Sequence, residues 1–294
     1  MSSSIPNPEA AMSSRKSLVE LFNRSLSTFQ TSSDAFRVVC TLPRLADSPS
    51  SSAPRQPRQK VDSLVVLDSS FNPPTLAHLR MARSALRDGS SNSSGGGARL
   101  LLLLAVNNAD KKPKPASFGE RLGMMHAFAE DLLEEEEEVE VDLGLTTRPY
   151  FHEKSAVIAE EGGYGGAEQV YLVGFDTLIR IFDGKYYDDM GAALGPFLGR
   201  ARVRVTMRTD DAWGDEEEQE WYLEGLKDGG LEAVGGRAEW AERVEMVRGR
   251  GQGEEVVSST RVREAAARGD GEGLKGLLSN RVREWVVEEG LYRE

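Results

Sequence analysis

Histidine is scarce in this chain, with three among 294 residues. One of them, His78, closes the stretch "SSFNPPTLAH" at residues 69–78, three positions after Thr75 and just past two prolines. An imidazole on the first turn of a helix can hold a phosphate oxygen, and the free N–H groups of a helix start favour an anion beside it. The two prolines halt the preceding strand and keep the helix from starting before Pro74. Thr75 is then placed to cap that helix, so that Thr75 and His78 face one mouth. The same residues also suit a plain capped helix with an incidental histidine. Spacing alone does not choose between the two.

Other stretches share this ambiguity. "SSTRVRE" (258–264) offers the hydroxyls of Ser258, Ser259 and Thr260, then Arg261 and Arg263, at a helix start. That set can grip outer phosphates, or it can be a capping box that uses Glu264. Lys111, Lys112 and Lys114 sit in a proline-stiffened loop after an apolar run, as a solvated cluster or a phosphate clamp. Asp176, just past "VYLVG", could cap a helix or accept ribose hydroxyls. His126 lies among Met and Phe and reads as structural. His152, beside Tyr150 and Phe151, reads the same way, although it could line the mouth of a site. No G-x-x-x-x-G-K-[ST] or G-x-S-x-G stretch occurs, and "GGYGGA" (162–167) precedes a strand where a dinucleotide fingerprint must follow one.

The elements that must carry these residues alternate. "SLVVLDS" (63–69), "RLLLLLAV" (99–106), "VEVDLGL" (139–145), "QVYLVG" (169–174) and "RVRVTM" (202–207) read as strands, and "ERVEMVRG" as a late one. "TLAHLRMARSAL" (75–86) has Leu76, Leu79, Ala82 and Leu86 on one helical face, and "SFGERLGMMHAFAEDLLEE" gives a second helix. "GSSNSSGGG" (89–97) is expected to be a loop, and the last 35 residues helices. Apolar strands alternating with helices imply a doubly wound parallel α/β sheet covered on both faces, with C-terminal helices. Such sheets bind ligands at the carboxyl ends of their strands, where residues 69–78 would lie.

Before Val61 the pattern changes. Residues 1–60 hold a helical stretch around "SLVELFNRSLSTF", a short strand in "FRVVCTLP" and a Ser/Pro-rich linker. The expected division is this N-terminal part, 1–60, followed by a catalytic domain over 61–294. Glu9, Glu20 and Asp34 fit a mitochondrial leader badly, so a cytoplasmic or also nuclear protein is expected. Net charge is −12, against general attraction to nucleic acid or an anionic membrane. No apolar run approaches the ~20 residues of a membrane span. The single cysteine, Cys40, excludes an internal disulfide and any multi-cysteine metal site. The acidic runs at 134–140 and 215–220 are expected to be solvated helix ends and loops.

"SSFNPPTLAH" resembles the [HT]-x-G-H signature of the nucleotidyltransferase superfamily, in its nicotinamide or nicotinate mononucleotide adenylyltransferase form and a divergent, fungal-type variant of it. Ser69 stands where glycine is usual, and Ala77 fills the slot before the histidine. Three further stretches resemble that family in the same order. They are "VNNADKKPKPASFGERLGMM" (106–125), "YLVGFDTLIRIF" (171–182) and "VVSSTRVREAAARGD" (256–270).

The resemblance implies transfer of the adenylyl group of ATP to nicotinamide mononucleotide, or the nicotinate form, giving NAD and pyrophosphate. By the same resemblance, ATP would meet Ser70, Phe71, Thr75, His78, Gly174, Asp176, Ser258, Ser259, Thr260 and Arg263. Catalysis would fall to His78, Lys112, Arg121 and Arg263, with Mg²⁺ carried on the ATP phosphates and no protein metal ligands. The acceptor would meet Lys111, Lys112 and aromatic rings, for which Tyr187, Tyr150 and Phe151 match. No tryptophan precedes Trp213 to supply the usual indole. Partners beyond ATP and a pyridine mononucleotide are not expected, neither nucleic acid nor membrane. Transfer to another phosphorylated acceptor, and non-catalytic nucleotide binding, stay open as alternatives.

Overall fold

The computed structural model describes residues 8–44, 53–91, 97–106, 116–136, 138–208, 213–249 and 256–293. Among these, strands β1 (Phe36–Leu42), β2 (Val61–Asp68), β3 (Gly97–Ala105), β4 (Glu140–Thr146), β5 (Glu168–Gly174), β6 (Ala201–Thr206) and β7 (Val244–Val247) form one sheet. Its order is β1-β4-β3-β2-β5-β6-β7. Every neighbouring pair is parallel except β1 with β4. The strands are apolar on both faces because both faces are covered, and Leu100 to Leu104 of β3 are all buried.

One layer contains α1 (Pro8–Gln30), α2 (Leu76–Ser91), α3 (Phe118–Leu133), α8 (Ser259–Ala267) and α9 (Asn280–Glu288). The other contains α4 (Phe151–Glu161), α5 (Phe175–Ile181), α6 (Met190–Arg200) and α7 (Glu216–Lys227). The strand order reverses direction between β2 and β5. The crevice outside their carboxyl ends is therefore where a ligand would lie. No helix of the described residues is long and apolar enough to cross a membrane.

The expected elements are present, with differences at their edges. α2 continues to Ser91, into the stretch expected to be a loop. The larger correction concerns residues 1–60. β1 is not a separate feature: it is the antiparallel edge strand of the main sheet, paired from Phe36↔Thr146 to Leu42↔Val141. Phe22 and Phe29 of α1 are fully buried in the same core as α3 and α9. The domain therefore reaches back to α1.

The acidic run at 134–140 is also only partly solvated. Glu140 starts β4 and holds the guanidinium of Arg55 at 3.1 Å and that of Arg99. Arg99 in turn grips buried Asp142 at 2.6 and 2.8 Å, and Asp142 accepts from Thr41 and Tyr164. This network joins β1, β3 and β4 with each charge paired, as burial of charge requires.

Removing a fully buried aromatic ring leaves a cavity and forfeits its transfer free energy. Phe22→Ala is expected to lower unfolding free energy by about 3–5 kcal/mol in urea denaturation. Deletion of residues 1–44 should yield insoluble protein. A soluble truncation with the parent's urea midpoint would show that α1 and β1 are dispensable.

Candidate functional site

At the β2–β5 crevice lies a cavity of about 270 Å³, lined among others by Thr75, His78, Gly174, Asp176, Arg208 and Ser259. β2 ends at Asp68, and Ser69 still donates its N–H to Leu103 O at 3.3 Å. The chain then turns sharply. Phe71 has φ +44°, a left-handed conformation uncommon outside glycine, and its ring is fully buried 5.7 Å from the His78 ring. Ser70 is exposed.

α2 begins after Thr75, as the prolines require, but the cap is built differently from expectation. The Thr75 N–H donates to His78 Nδ1 at 3.0 Å, and the buried Thr75 hydroxyl meets the same nitrogen at 2.9 Å. His78 thus reaches back to the N-cap backbone, the role a glutamate plays in a capping box. The Leu76 N–H is taken by Leu277 O at 3.0 Å, so it is not offered to an anion. Since Nδ1 accepts, the proton of the neutral ring sits on Nε2, which donates to Ser69 Oγ at 3.1 Å. Burial pushes the His78 pKa down from 6.5 to about 4.

Opposite stands the start of α8. Ser258 is its N-cap and accepts from the Arg261 N–H at 3.3 Å. Glu264 is therefore outside the cap, and no capping box forms with it. Ser259 donates to Pro73 O at 2.8 Å. Arg263 donates to Asn72 O at 2.8 Å and to Thr260 Oγ1 at 3.0 Å. Arg121, early in α3, donates to Ala116 O at 2.9 Å and lies over the Phe118 ring. Burial, and then the Arg263 charge, hold the Arg121 guanidinium below its usual pKa. The two arginines therefore feel one another across the same space. Lys111, Lys112 and Lys114 lie outside the described residues.

At the end of β5, Gly174 is the N-cap of α5 and Asp176 sits in its first turn. The Asp176 carboxylate is an ion-pair partner: Oδ1 accepts from Arg208 at 3.3 Å and Oδ2 from Arg180 at 3.0 Å. A Cβ at residue 174 would lie 2.8 Å from Asp176 Oδ1, which explains the glycine.

Of the rings expected to meet an acceptor, Tyr150 and Tyr187 are brought together, joined by His152. Tyr150 and His152 stack at 5.8 Å with planes 11° apart, and His152 meets Tyr187 at 5.5 Å. Tyr150 is 42% exposed, whereas the Tyr187 hydroxyl donates to Ile181 O at 2.7 Å. Burial lowers the His152 pKa, so its ring is a neutral, flat spacer. Phe151 is half-buried; it packs edge-on against Tyr171 at 5.6 Å, with Lys154 Nζ 5.3 Å from its ring centre. His126 is structural, buried and 2.9 Å from an Arg44 nitrogen.

Three residues of this region were not singled out from the sequence. Asn72, Tyr292 and Arg208 acquire their places through contacts between distant segments, and nothing local in their surroundings marks them. Only the "FNPP" turn around Asn72 carried a usable signal. Among the described residues, no three His, Cys, Asp or Glu side chains gather as a metal site.

Comparison with known proteins gives the following likenesses. Residues 66–188 match the cytidylyltransferase-like family model. A Schizosaccharomyces pombe protein named "Putative nicotinamide mononucleotide adenylyltransferase" is 36% identical over 208 residues, covering 70% of this chain and 76% of that one. Plasmodium falciparum nicotinic acid mononucleotide adenylyltransferase, solved in complex with NaAD, is 13% identical with a TM-score of 0.48, covering 79% of this chain and 97% of that one. A nicotinate-nucleotide adenylyltransferase structure from Vibrio parahaemolyticus, also named "Putative", is 18% identical with a TM-score of 0.46, covering 80% and 97%.

The neutral state of His78 has a pH signature. Its folded pKa lies below the unfolded one, so between about pH 4 and 6.5 the unfolded chain binds more protons here. Stability from this group is complete above that window and is lost as pH falls through it. The ring resonances of His78 in the free protein, assigned with a His78→Ala variant, should titrate near 4. Added ATP should move the midpoint upward, because phosphate charge favours the imidazolium. A free-protein midpoint between 6 and 7 would overturn the neutral assignment.

Proposed function

The chain belongs to the nicotinamide mononucleotide adenylyltransferase family, and we propose from that premise that it joins ATP and nicotinamide mononucleotide, or the nicotinate form, into the dinucleotide and pyrophosphate. The observation that carries this reading is the position of His78, whose Nε2–H stands ready as a donor across the cavity from the arginine-bearing start of α8. An oxygen of the acceptor 5′-phosphate attacks the α-phosphorus of ATP. One P–O bond forms there, the α–β anhydride bond breaks, and pyrophosphate leaves. Phosphoryl chemistry of this kind asks the protein for positioning and charge neutralisation, with no covalent protein intermediate.

In this reading His78 stabilises charge on the transferred group through Nε2–H. Arg121 and Arg263, with Lys111 and Lys112 from outside the described residues, offset the phosphate charge. ATP enters with a divalent cation, Mg²⁺ in this proposal, riding on its phosphates. Among the polar groups that line the cavity, the hydroxyls of Thr75, Thr206, Ser258 and Ser259 and the guanidinium groups of Arg80 and Arg208 outnumber the one carboxylate, Asp176, a set that suits phosphate oxygens better than a metal. Ser70, Phe71, Thr75, Ser258, Ser259 and Thr260 shape the phosphate end, while Gly174 and Asp176 face the nucleoside end. Tyr150, His152 and Tyr187 offer the acceptor ring its stacking surface, worth about 0.5–1.5 kcal/mol per aromatic pair beyond burial.

Purified protein given ATP, Mg²⁺ and nicotinamide mononucleotide should release NAD and pyrophosphate in equal amounts. His78→Ala should lower kcat at least ~100-fold, the scale of one lost transition-state donor, with ATP affinity little changed. Activity within a few-fold of the parent would remove His78 from the chemistry. Adenylyl transfer only to some other phosphate ester would displace the pyridine acceptor and keep the reaction type.

Tyr187→Ala should raise the KM for nicotinamide mononucleotide about tenfold, the equivalent of ~1.4 kcal/mol, while the KM for ATP stays put. Equal loss for both substrates would make Tyr187 a packing residue.

A further inference from the structure

Helix α7 begins "EEEQEWYLEGLK" and is acidic and solvent-facing along most of its length. Within that run Gln219 is 0% exposed. A buried carboxamide loses its hydration on folding, so it persists only where its oxygen and nitrogen find partners. Those of Gln219 do, and every partner is main chain. Its Oε1 accepts from the Arg208 N–H at 3.0 Å. Its Nε2 donates to Arg208 O, and at 3.4 Å to Trp213 O and Gly214 O.

Arg208 needs that grip. The β6–β7 ladder ends at Thr206↔Val247, and the last sheet-like bond is Met207 N–H to Val247 O at 2.9 Å. Beyond it the strand end would lose its neighbour, yet Gln219 takes both the N–H and the C=O of Arg208 as a further strand would. The Arg208 side chain then runs along the cavity wall to Asp176 Oδ1.

We infer that Gln219 is a positioning residue for nucleotide binding, acting through Arg208 to hold the Asp176 carboxylate where it meets the ribose hydroxyls of ATP. This rests on the reading of the cavity as the ATP site. Arg208 draws one carboxylate oxygen, and Arg180 the other. The carboxylate is thereby fixed in rotation, with its remaining lone pairs available to hydroxyl donors. Gln219 touches no substrate in this arrangement. Its effect is transmitted by backbone geometry at one residue.

The test is calorimetric titration of the whole protein with ATP and with 2′,3′-dideoxy-ATP, which lacks both hydroxyls. The parent should prefer ATP. In Gln219→Leu that preference should shrink at least fivefold, through weaker ATP binding with dideoxy-ATP binding unchanged. Arg208→Ala should shrink it similarly, and the double variant no further, since residues acting through one another are non-additive. Gln219→Glu, which keeps the acceptor for the Arg208 N–H but loses the donor, should follow Gln219→Leu and serves if the leucine variant does not fold.

A lowered melting temperature with the preference intact would make Gln219 structural only and overturn the inference. So would additive effects of the two substitutions. Binding needs neither acceptor nor turnover, so the two readings separate. Normal ATP preference lost on Gln219→Leu, in a protein that forms no NAD, would defeat the proposed reaction and leave this inference standing.

Discussion

The turn between β2 and α2 is held by Asn72, and the site depends on that one side chain. Its Oδ1 accepts from the Ala116 N–H at 2.8 Å and from the Tyr292 hydroxyl at 2.9 Å, filling both lone pairs. Its main-chain oxygen accepts from Arg263, and the next carbonyl, of Pro73, accepts from Ser259. The segment before α3, the start of α8 and the chain's last turn are thus all tied to one residue. An unmade buried hydrogen bond costs about 1–3 kcal/mol, so these bonds form together or the turn opens. Phe71 keeps its left-handed backbone within this frame, and its ring backs His78. The geometry of the imidazole is therefore inherited from four parts of the chain.

The frame also collects positive charge in a chain whose net charge is −12. Arg121 and Arg263 are close enough for one to disfavour the other's charge, an arrangement an incoming polyanion relieves. Arg208 and Arg180 are both set against the single carboxylate of Asp176, which offsets one of their two charges. An acidic surface does not oppose this, because a cleft's local field decides what enters it.

What could be read from the sequence was local. Continuous apolar strands, proline stops and the Ser258 cap each act over a few residues, and each was legible. So was the placement of residues 69–78 at the carboxyl end of a strand, whereas the crevice between β2 and β5 follows from a strand order that no local pattern carries. Tyr292 lies 220 residues from Asn72, and no periodicity or cap links them. β1 is an edge strand, mostly buried, and its antiparallel pairing with β4 depends on a partner about 100 residues away. Gln219 was concealed by its acidic neighbours: the run read correctly as a solvated face, yet the one uncharged residue in it turned inward. Phe151 was expected to share a role with Tyr150; successive positions on a helix point to different sides, and its half-buried ring packs edge-on against Tyr171.

Ser69, which stands where the signature that the sequence resembles usually has glycine, alters the chemistry of the site in a definite way. Its hydroxyl accepts the Nε2–H of His78. In the proposed mode of ATP binding a phosphate oxygen would take that place, exchanging one acceptor for another on the same proton. Exchanging neutral hydrogen bonds is close to neutral in free energy, but an anionic acceptor forms a bond roughly twice as strong. The Nε2–H is thus satisfied within the fold, and in the proposed exchange the preference for phosphate would come from its charge. The released Ser69 hydroxyl then has its own proton to direct at the same oxygen. Glycine would give closer backbone approach. Serine gives in exchange a ring held in one tautomer and one orientation, fixed at Nδ1 by Thr75 and at Nε2 by Ser69, before any substrate arrives.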